Sequence, residues 1–397
     1  MSLLKRASAI EEEMIAIRRK IHENPELAFK EFQTTALLEK ELKSYGIETR
    51  RNGDQTGLTG VLKGAKPGKV IGVRGDIDAL PVPEDTGLPF SSKVEGVSHA
   101  CGHDINCTTV LACARLLSEL KDELSGTVKF IFQPAEETLS GAASMIKNGV
   151  MEDPKMDAII CVHTWPEMPG GSIGVRRGAM FAASDRFKIT IRGQGGHAAH
   201  PHRSIDPVVV AGYLITQLQT IVSREVAPLD SAVVTVGKMT AGTASNIIPN
   251  EAVLEGTVRT LNKETRKRVH ESLVRIATHT AEGLSATAQV EYVTGVPPLV
   301  NDDFLNDLVS AATVELLGED NLLEVPVASM GSEDFAEYME FIPGAAIRIG
   351  TYDERPESKG ALHNSKTVFS EKAIMAGAVM LTGTVFKFTG SDFSKLL

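Results

Sequence analysis

Cysteine, histidine and carboxylate residues gather at five places in this chain, each beside a short apolar run or the start of a helix. Val70–Val73 is followed by RGDIDALP (74–81), and HACGHD (99–104) stands just before an amphipathic stretch at 107–120. Thr127–Phe132 is followed by QPAEE (133–137), Ala158–Val162 by His163, and Ala345–Ile349 by a loop holding LHN (362–364). Taken singly, each has an ordinary explanation. A lone histidine is usually structural or on the surface, and His22, His270 and His279 are read so; Cys107, Cys113 and Cys161 have apolar neighbours and read as packing. A Glu-Glu pair is usually a solvated charge run, and Asp-x-Asp after a strand can cap a turn. Taken together they differ, because nothing structural requires Cys, His and acids at successive positions of one rim.

The chemistry these types permit is metal-assisted. Cys101 and His103 flank Gly102, so both side chains can face one centre, and thiolate, imidazole and carboxylate suit zinc and related transition ions rather than magnesium or calcium. Two metals about 3.5–4 Å apart need a bridging ligand. A neutral imidazole nitrogen offers one lone pair and a thiolate several, so Cys101 is the candidate bridge. Glu137 is read as a metal ligand and Glu136 as the general base that takes a proton from activated water. Asp78 is read as the residue that orients a ligand histidine.

The elements that must position these residues follow from periodicity. Ile10, Met14, Ile17 and Ile21 mark a first helix, and a second spans about 31–45 before Gly46. From Lys69 onward, runs that are apolar throughout alternate with amphipathic helices at 107–120 and 140–148, the pattern of parallel strands buried on both faces. In such α/β sheets sites form at the carboxyl ends of the strands, where the polar residues fall here. The middle of the chain has another rhythm, strand 186–192, helix 205–224, strands 231–238 and 252–260, helix 263–282 and strand 288–293. That is the β-α-β-β-α-β order of a ferredoxin-like unit. After Pro297-Pro298 the α/β alternation resumes, with helix 303–316, strand 345–349 and helix 370–387. The expectation is an α/β fold: a mostly parallel-sheet domain, 1–183 and 295–397, interrupted by an α+β domain, 184–294.

Composition narrows the function classes. The 397 residues carry 41 Lys+Arg against 51 Asp+Glu, a formal charge of -10, so no net positive field exists to attract nucleic acid. No apolar run is long enough to span a bilayer; Ala373–Phe388 is interrupted by Gly377, Thr382, Gly383 and Thr384. Lys5 and Arg6 lead into Glu11, Glu12 and Glu13 rather than an apolar segment, so no secretory signal is expected. Four cysteines in a chain this long do not make a disulfide scaffold, and a reducing cytoplasm that leaves thiolates free for metal is the expected setting.

RGDIDALP, HACGHD, QPAEE, GGHAAHPH (195–202), SNIIPNEAVLEGTVRT (245–260) and LHN together resemble the amidohydrolase branch of the di-metal aminoacylase and carboxypeptidase G superfamily of metallopeptidases. That branch includes hippurate hydrolases, N-acyl-amino-acid deacylases and auxin-conjugate hydrolases. The resemblance covers nearly the whole chain in the right order. It implies a catalytic domain with an inserted lid or dimerisation domain, a homodimer or larger homo-oligomer, and two divalent ions, Zn2+ or Mn2+. It implies Cys101, His103, Glu137, His163 and His363 as ligands and Glu136 as base. His197 matches a histidine thought to stabilise the oxyanion, often reaching into a neighbouring subunit, and Asn246 and Arg259 match residues that hold the substrate's polar end. One departure is Asn106, where many relatives have histidine. GSEDF (331–335) recurs in relatives with no role assigned. The expected substrate is an N-acyl amino acid or short peptide-like amide. The alternatives are a dipeptidase or aminopeptidase of the same superfamily, or a non-catalytic metal- or amino-acid-binding protein on the same fold.

Overall fold

The computed structural model describes residues 1–355 and 360–397. They form two compact units: Met1–Gly178 with Asn301–Pro326 and Asp334–Leu397, and Ala179–Val300 with Val327–Glu333. The sequence-based limits at 184 and 294 stand as a proposed domain division.

The first unit begins with α1 (Leu3–Glu23) and α2 (Phe32–Ser44), followed by β1 (Glu48–Arg51), β2 (Leu58–Lys63) and β3 (Lys66–Asp76). On α1, Ile10, Met14 and Ile21 are buried as their spacing predicts, with Arg18 and His22 buried beside them. Then come α3 (His103–Glu119), β4 (Ser125–Gln133), α4 (Gly141–Lys147), β5 (Ala158–Pro169) and β6 (Ile173–Val175). The chain crosses to the second unit within β7 (Gly178–Phe181).

There β8 (Ala183–Arg192), the short β9 (Gly196–His197), α5 (Pro207–Thr220), β10 (Ala232–Ala241), β11 (Ile247–Ile248), β12 (Glu251–Thr260), α6 (Lys263–Gly283) and β13 (Thr287–Val293) follow. The chain returns within β14 (Leu299–Asn301) and closes the first unit with α7 (Asp303–Leu317), β15 (Leu322–Glu324), β16 (Gly344–Tyr352) and α8 (Lys372–Thr389). Among the described residues no helix is long and apolar enough to cross a membrane.

The first unit's sheet has the order β1-β2-β4-β3-β5-β16-β6-β15. Its centre, β4, β3, β5 and β16, is parallel, whereas β1, β2 and β6 pair antiparallel with their inner neighbours. The central strands are buried on both faces, the reason they read as continuous apolar runs. Because they are parallel, their carboxyl ends share one edge of the sheet. Register aligns that edge: Asp76 lies opposite Gln133, Arg74 opposite Cys161, and His163 opposite Arg348.

The second unit is a four-stranded antiparallel sheet in the order β10-β12-β8-β13. Phe187, Ile189 and Ile191 alternate inward on β8 and pack with Val210, Leu214 and Leu218 of α5 and Val269, Leu273 and Ala277 of α6. Asp206 caps α5 by accepting the Val208 N–H at 2.9 Å, with Pro207 in the first helical position. Asn262 caps α6 by accepting the Thr265 N–H at 2.7 Å.

Candidate metal centre

The HACGHD segment is docked onto β5 by the close approach of a glycine. Gly102, the residue before α3, has φ 77°, and a Cβ there would lie 2.6 Å from the Thr164 hydroxyl. That hydroxyl donates to the Cys101 carbonyl at 2.7 Å. The approach brings the buried Cys101 Sγ to 3.6 Å from His163 Nε2. α3 starts at His103, earlier than its apolar periodicity predicts, so His103 sits in the helix's first turn. His163 lies within β5 and not after its end, as expected from the sequence, because the strand runs on to Pro169.

Both histidines have one nitrogen committed. His103 Nδ1 faces two acceptors, the Asp78 carbonyl at 2.9 Å and its carboxylate at 3.1 Å, so this nitrogen carries the proton. His163 Nδ1 donates to the Thr164 carbonyl at 2.9 Å. In each neutral ring the Nε2 lone pair is therefore the one available as a ligand.

The QPAEE loop supplies the carboxylates. It leaves β4 through Ala135 at φ 55° and closes with Leu139 at φ 52°, two left-handed positions without glycine. Asp78 Oδ2 accepts the Glu137 N–H at 3.0 Å, so one carboxylate orients both His103 and Glu137. Glu137 Oε1 lies 3.7 Å from His103 Nε2, and its Oε2 lies 3.4 Å from His363 Nε2. Glu136 Oε2 is 3.9 Å from His103 Nε2. His363, half exposed and at φ 63°, is fixed through its N–H to the Ala100 carbonyl at 2.9 Å.

Among the described residues, three groups of donor atoms that lie wholly within the first unit have all their atoms within 4.8 Å of one another. One is Cys101, His103 and His163; another is Cys101, Glu137 and His363; the third is His103, Glu136 and Glu137. The first two share the Cys101 sulfur. All five expected ligands, together with Glu136 and Asp78, are thus brought into one cluster within the first unit.

Its electrostatics are those of a site built for cations. Burial, then the charges of Glu137, Glu136 and Asp76, push the Cys101 thiol well above its ordinary range. Burial raises the Glu137 carboxyl to about 7 against the pull of His103. Burial alone would lower His103, yet Asp76, Asp78 and Glu137 raise it to about 10. Among the described residues, His103 Nε2 and Glu137 Oε1 are buried without a hydrogen-bond partner. Orphaned donor atoms and surplus negative charge are what divalent cations would satisfy, by taking the place of protons. Sulfur, nitrogen and oxygen donors together fit zinc-like ions.

Behind the cluster stands an ion network that sequence reasoning left out. Arg74, fully buried, donates to Gln133 Oε1 at 2.9 Å, Asp76 Oδ2 at 2.6 Å and Asp334 Oδ1 at 3.1 Å. Asp334 also accepts Gln133 Nε2 at 2.7 Å and the Ala142 N–H at 2.9 Å, which gives the GSEDF segment a place in the site's foundation. Asp76 is held below the usual carboxylate range although burial opposes this, because His103 and Arg74 face it. Asn106 donates to Asp76 at 2.8 Å and accepts the Thr164 N–H at 3.0 Å, tying the strand end to β5. His22, read as structural, is buried between Asp104 at 2.8 Å and Glu84 at 3.2 Å. The signal for Arg74 and Asp76 was present in RGDIDALP, as charges at the end of a fully buried strand.

His197, Asn246 and Arg259 belong to the second unit. His197 is exposed on β9, opposite Ile247 of β11, with Nδ1 accepting the Ala199 N–H at 3.0 Å. Asn246 is exposed, and its carbonyl accepts the Ala198 N–H at 3.1 Å, so the two segments are neighbours. Arg259, half-buried on β12, donates to the Val258 carbonyl at 3.1 Å.

Residues 72–387 match the peptidase family M20/M25/M40. An N-acetyl-L-cysteine deacetylase of Bacillus subtilis is 43% identical over 346 residues, 87% of this chain and 82% of that protein. A hippurate hydrolase of Campylobacter jejuni is 38% identical over 391 residues, 98% of this chain and 100% of that protein. The crystal structure of the Bacillus subtilis YXEP protein, described as a dinuclear metal binding peptidase, superposes with a TM-score of 0.86 at 36% identity, covering 97% of this chain and 100% of that one.

Proposed function

Because the chain belongs to peptidase family M20/M25/M40, we propose that its reaction is hydrolysis of the amide bond of N-acyl amino acids or small peptide-like amides. The observation that carries this reading is the pair of donor groups sharing the Cys101 sulfur, with a second carboxylate, Glu136, beside them. Names among the relatives support it: N-acetyl-L-cysteine and hippurate are both N-acylated amino acids.

In this reading Cys101, His103, Glu137, His163 and His363 would hold two divalent transition-metal ions, zinc or manganese. When bound, the ions supply Lewis acidity, polarising the scissile carbonyl and making water acidic near neutral pH. Glu136 accepts the proton of the attacking water and returns it to the leaving amine. Asp78 keeps His103 in the tautomer that presents Nε2 and holds Glu137 through its backbone. His197 donates to the carbonyl oxygen as charge builds there. Asn246 holds the polar end of the substrate, and the Arg259 guanidinium pairs with its carboxylate.

The test is turnover by zinc- or manganese-loaded protein of acetyl-, benzoyl- and indoleacetyl-amino acids against dipeptides sharing the same carboxyl-terminal residue. Acyl-amino acids are expected to be cleaved faster. Preference for dipeptides would move the assignment to a dipeptidase or aminopeptidase. Full metal content with no turnover of either would leave a binding protein.

A further inference from the structure

Glu31, in the connection between α1 and α2, is fully buried, a costly place for a carboxylate. Among the described residues no cation pairs with it; its partners are three hydrogen-bond donors. The N–H groups of Phe29 and Ala135 both donate to Oε1 at 3.0 Å, and the Thr56 hydroxyl donates to Oε2. Phe29 and Ala135 are themselves left-handed, φ 57° and 55°. Residues in that region lie outside helix and strand ladders, so the N–H of the fully buried Ala135 needs an acceptor from elsewhere. A charged acceptor makes the stronger bond.

Ala135 opens the acidic loop. Two residues on, the Glu137 N–H is held by Asp78 Oδ2 at 3.0 Å. Two buried carboxylates therefore grip alternate amides of one loop and fix the peptide planes on either side of Glu136. The direction in which Glu136 and Glu137 leave the backbone is set by those planes. The loop is confined from other sides as well: a Cβ at Gly57 would lie 2.5 Å from Pro134 Cδ, and one at Gly141 would lie 1.7 Å from the Pro134 carbonyl oxygen.

We propose that Glu31 is a positioning residue for the metal-binding acidic loop, acting from the α1–α2 connection through the Ala135 amide. The proposal rests on the reading of Glu137 as a metal donor. Glu31→Gln removes the charge and leaves a single acceptor oxygen, so the Phe29 and Ala135 amides on one side and the Thr56 hydroxyl on the other can no longer all donate to it.

The experiment measures three quantities on the full chain. They are amide exchange in the metal-free protein, zinc affinity by chelator competition, and zinc affinity of Glu137→Gln in parallel. Glu31→Gln is expected to speed exchange in the 134–140 loop while leaving β3, β4 and β5 unchanged, and to weaken zinc binding roughly 10–100-fold. Thr56→Val, which removes one bond and keeps the carboxylate, should shift both in the same direction by less. It carries the test if Glu31→Gln does not fold. Unchanged loop exchange, or loosening spread through the whole sheet, would overturn the positioning role, as would local loosening with zinc affinity unchanged while Glu137→Gln loses zinc. If Glu137→Gln itself keeps full zinc affinity, the donor assignment has failed, and the positioning role with it.

Discussion

The strand-end rim of the first unit and the 195–203 loop of the second unit both carry histidines beside glycines, but they are built in opposite ways. At the rim, Cys101, His103, Glu136 and His163 are buried; Asp78 aims His103 and Glu137 and the Ala100 carbonyl fixes His363 from distant segments, while His163 is held by the adjacent Thr164 carbonyl. In the loop, His197, His200 and His202 are exposed and held by short local bonds and by each other's rings, 5.5 and 6.0 Å apart. Burial with long-range restraint creates donor atoms that cannot be satisfied by water, and so a demand for cations. Exposure with local restraint creates a group that works only when substrate meets it. The rim is therefore expected to govern metal affinity and the loop to govern turnover alone.

The comparison can be broken most forcefully by pH. With His103 raised to about 10 and the Cys101 thiol pushed well above its ordinary range by burial and the nearby carboxylates, both bear protons in the metal-free protein at neutral pH. A raised pKa means a proton held until the pH passes it, so metal must displace both. Since Glu137, raised to about 7, also gives up a proton between pH 6 and 8, apparent metal affinity is expected to rise by about two to three powers of ten per pH unit, nearer three at pH 6 and nearer two at pH 8, with as many protons released on binding. Calorimetry in buffers of different ionisation enthalpy counts those protons, and release of none would contradict the site's electrostatics.

Next in size is Cys101→Ser. A hydroxyl stays protonated where a thiol can ionise, so metal retention is expected to fall on the order of 10²-fold, measured as metal content after dialysis against chelator. Substitution at Cys107, Cys113 or Cys161 should leave metal content unchanged. His197→Ala sharpens the other side. Turnover is expected to fall about 10²–10³-fold with metal content intact. If His197 serves a neighbouring subunit, mixing this variant with inactive Glu136→Gln and allowing exchange restores part of the activity. If it serves its own chain, mixing restores none.

Much of this was legible in the sequence, and the gaps have a common cause. The candidate ligands drew notice because cysteine, histidine and acids stood at the ends of runs too apolar to be anything but buried strands, and the fold gathers them into one cluster. The four-strand arrangement of the second unit followed from clean alternation such as Phe187, Ile189 and Ile191. What stayed hidden were partners far apart in the chain. Glu31 reaches Ala135 and Asp334 reaches Arg74, pairings that no local spacing announces. The edge strand β1 was missed for another reason: Glu48–Arg51 is entirely polar and largely exposed, so it lacks a strand's apolar signature. His163 was placed beyond its strand because β5 continues through Trp165 and Pro166, where the apolar run is broken by polar residues and proline.

The central claim is that the rim separates metal holding from proton transfer between two adjacent carboxylates, Glu137 and Glu136. The most direct test is the metal content and kcat of Glu136→Gln measured on the same preparation. The account predicts wild-type metal stoichiometry with kcat reduced roughly 10²–10⁴-fold. Loss of metal in proportion to activity would make Glu136 a ligand, as its place in the His103, Glu136 and Glu137 donor group allows, and would contradict the division of labour proposed here.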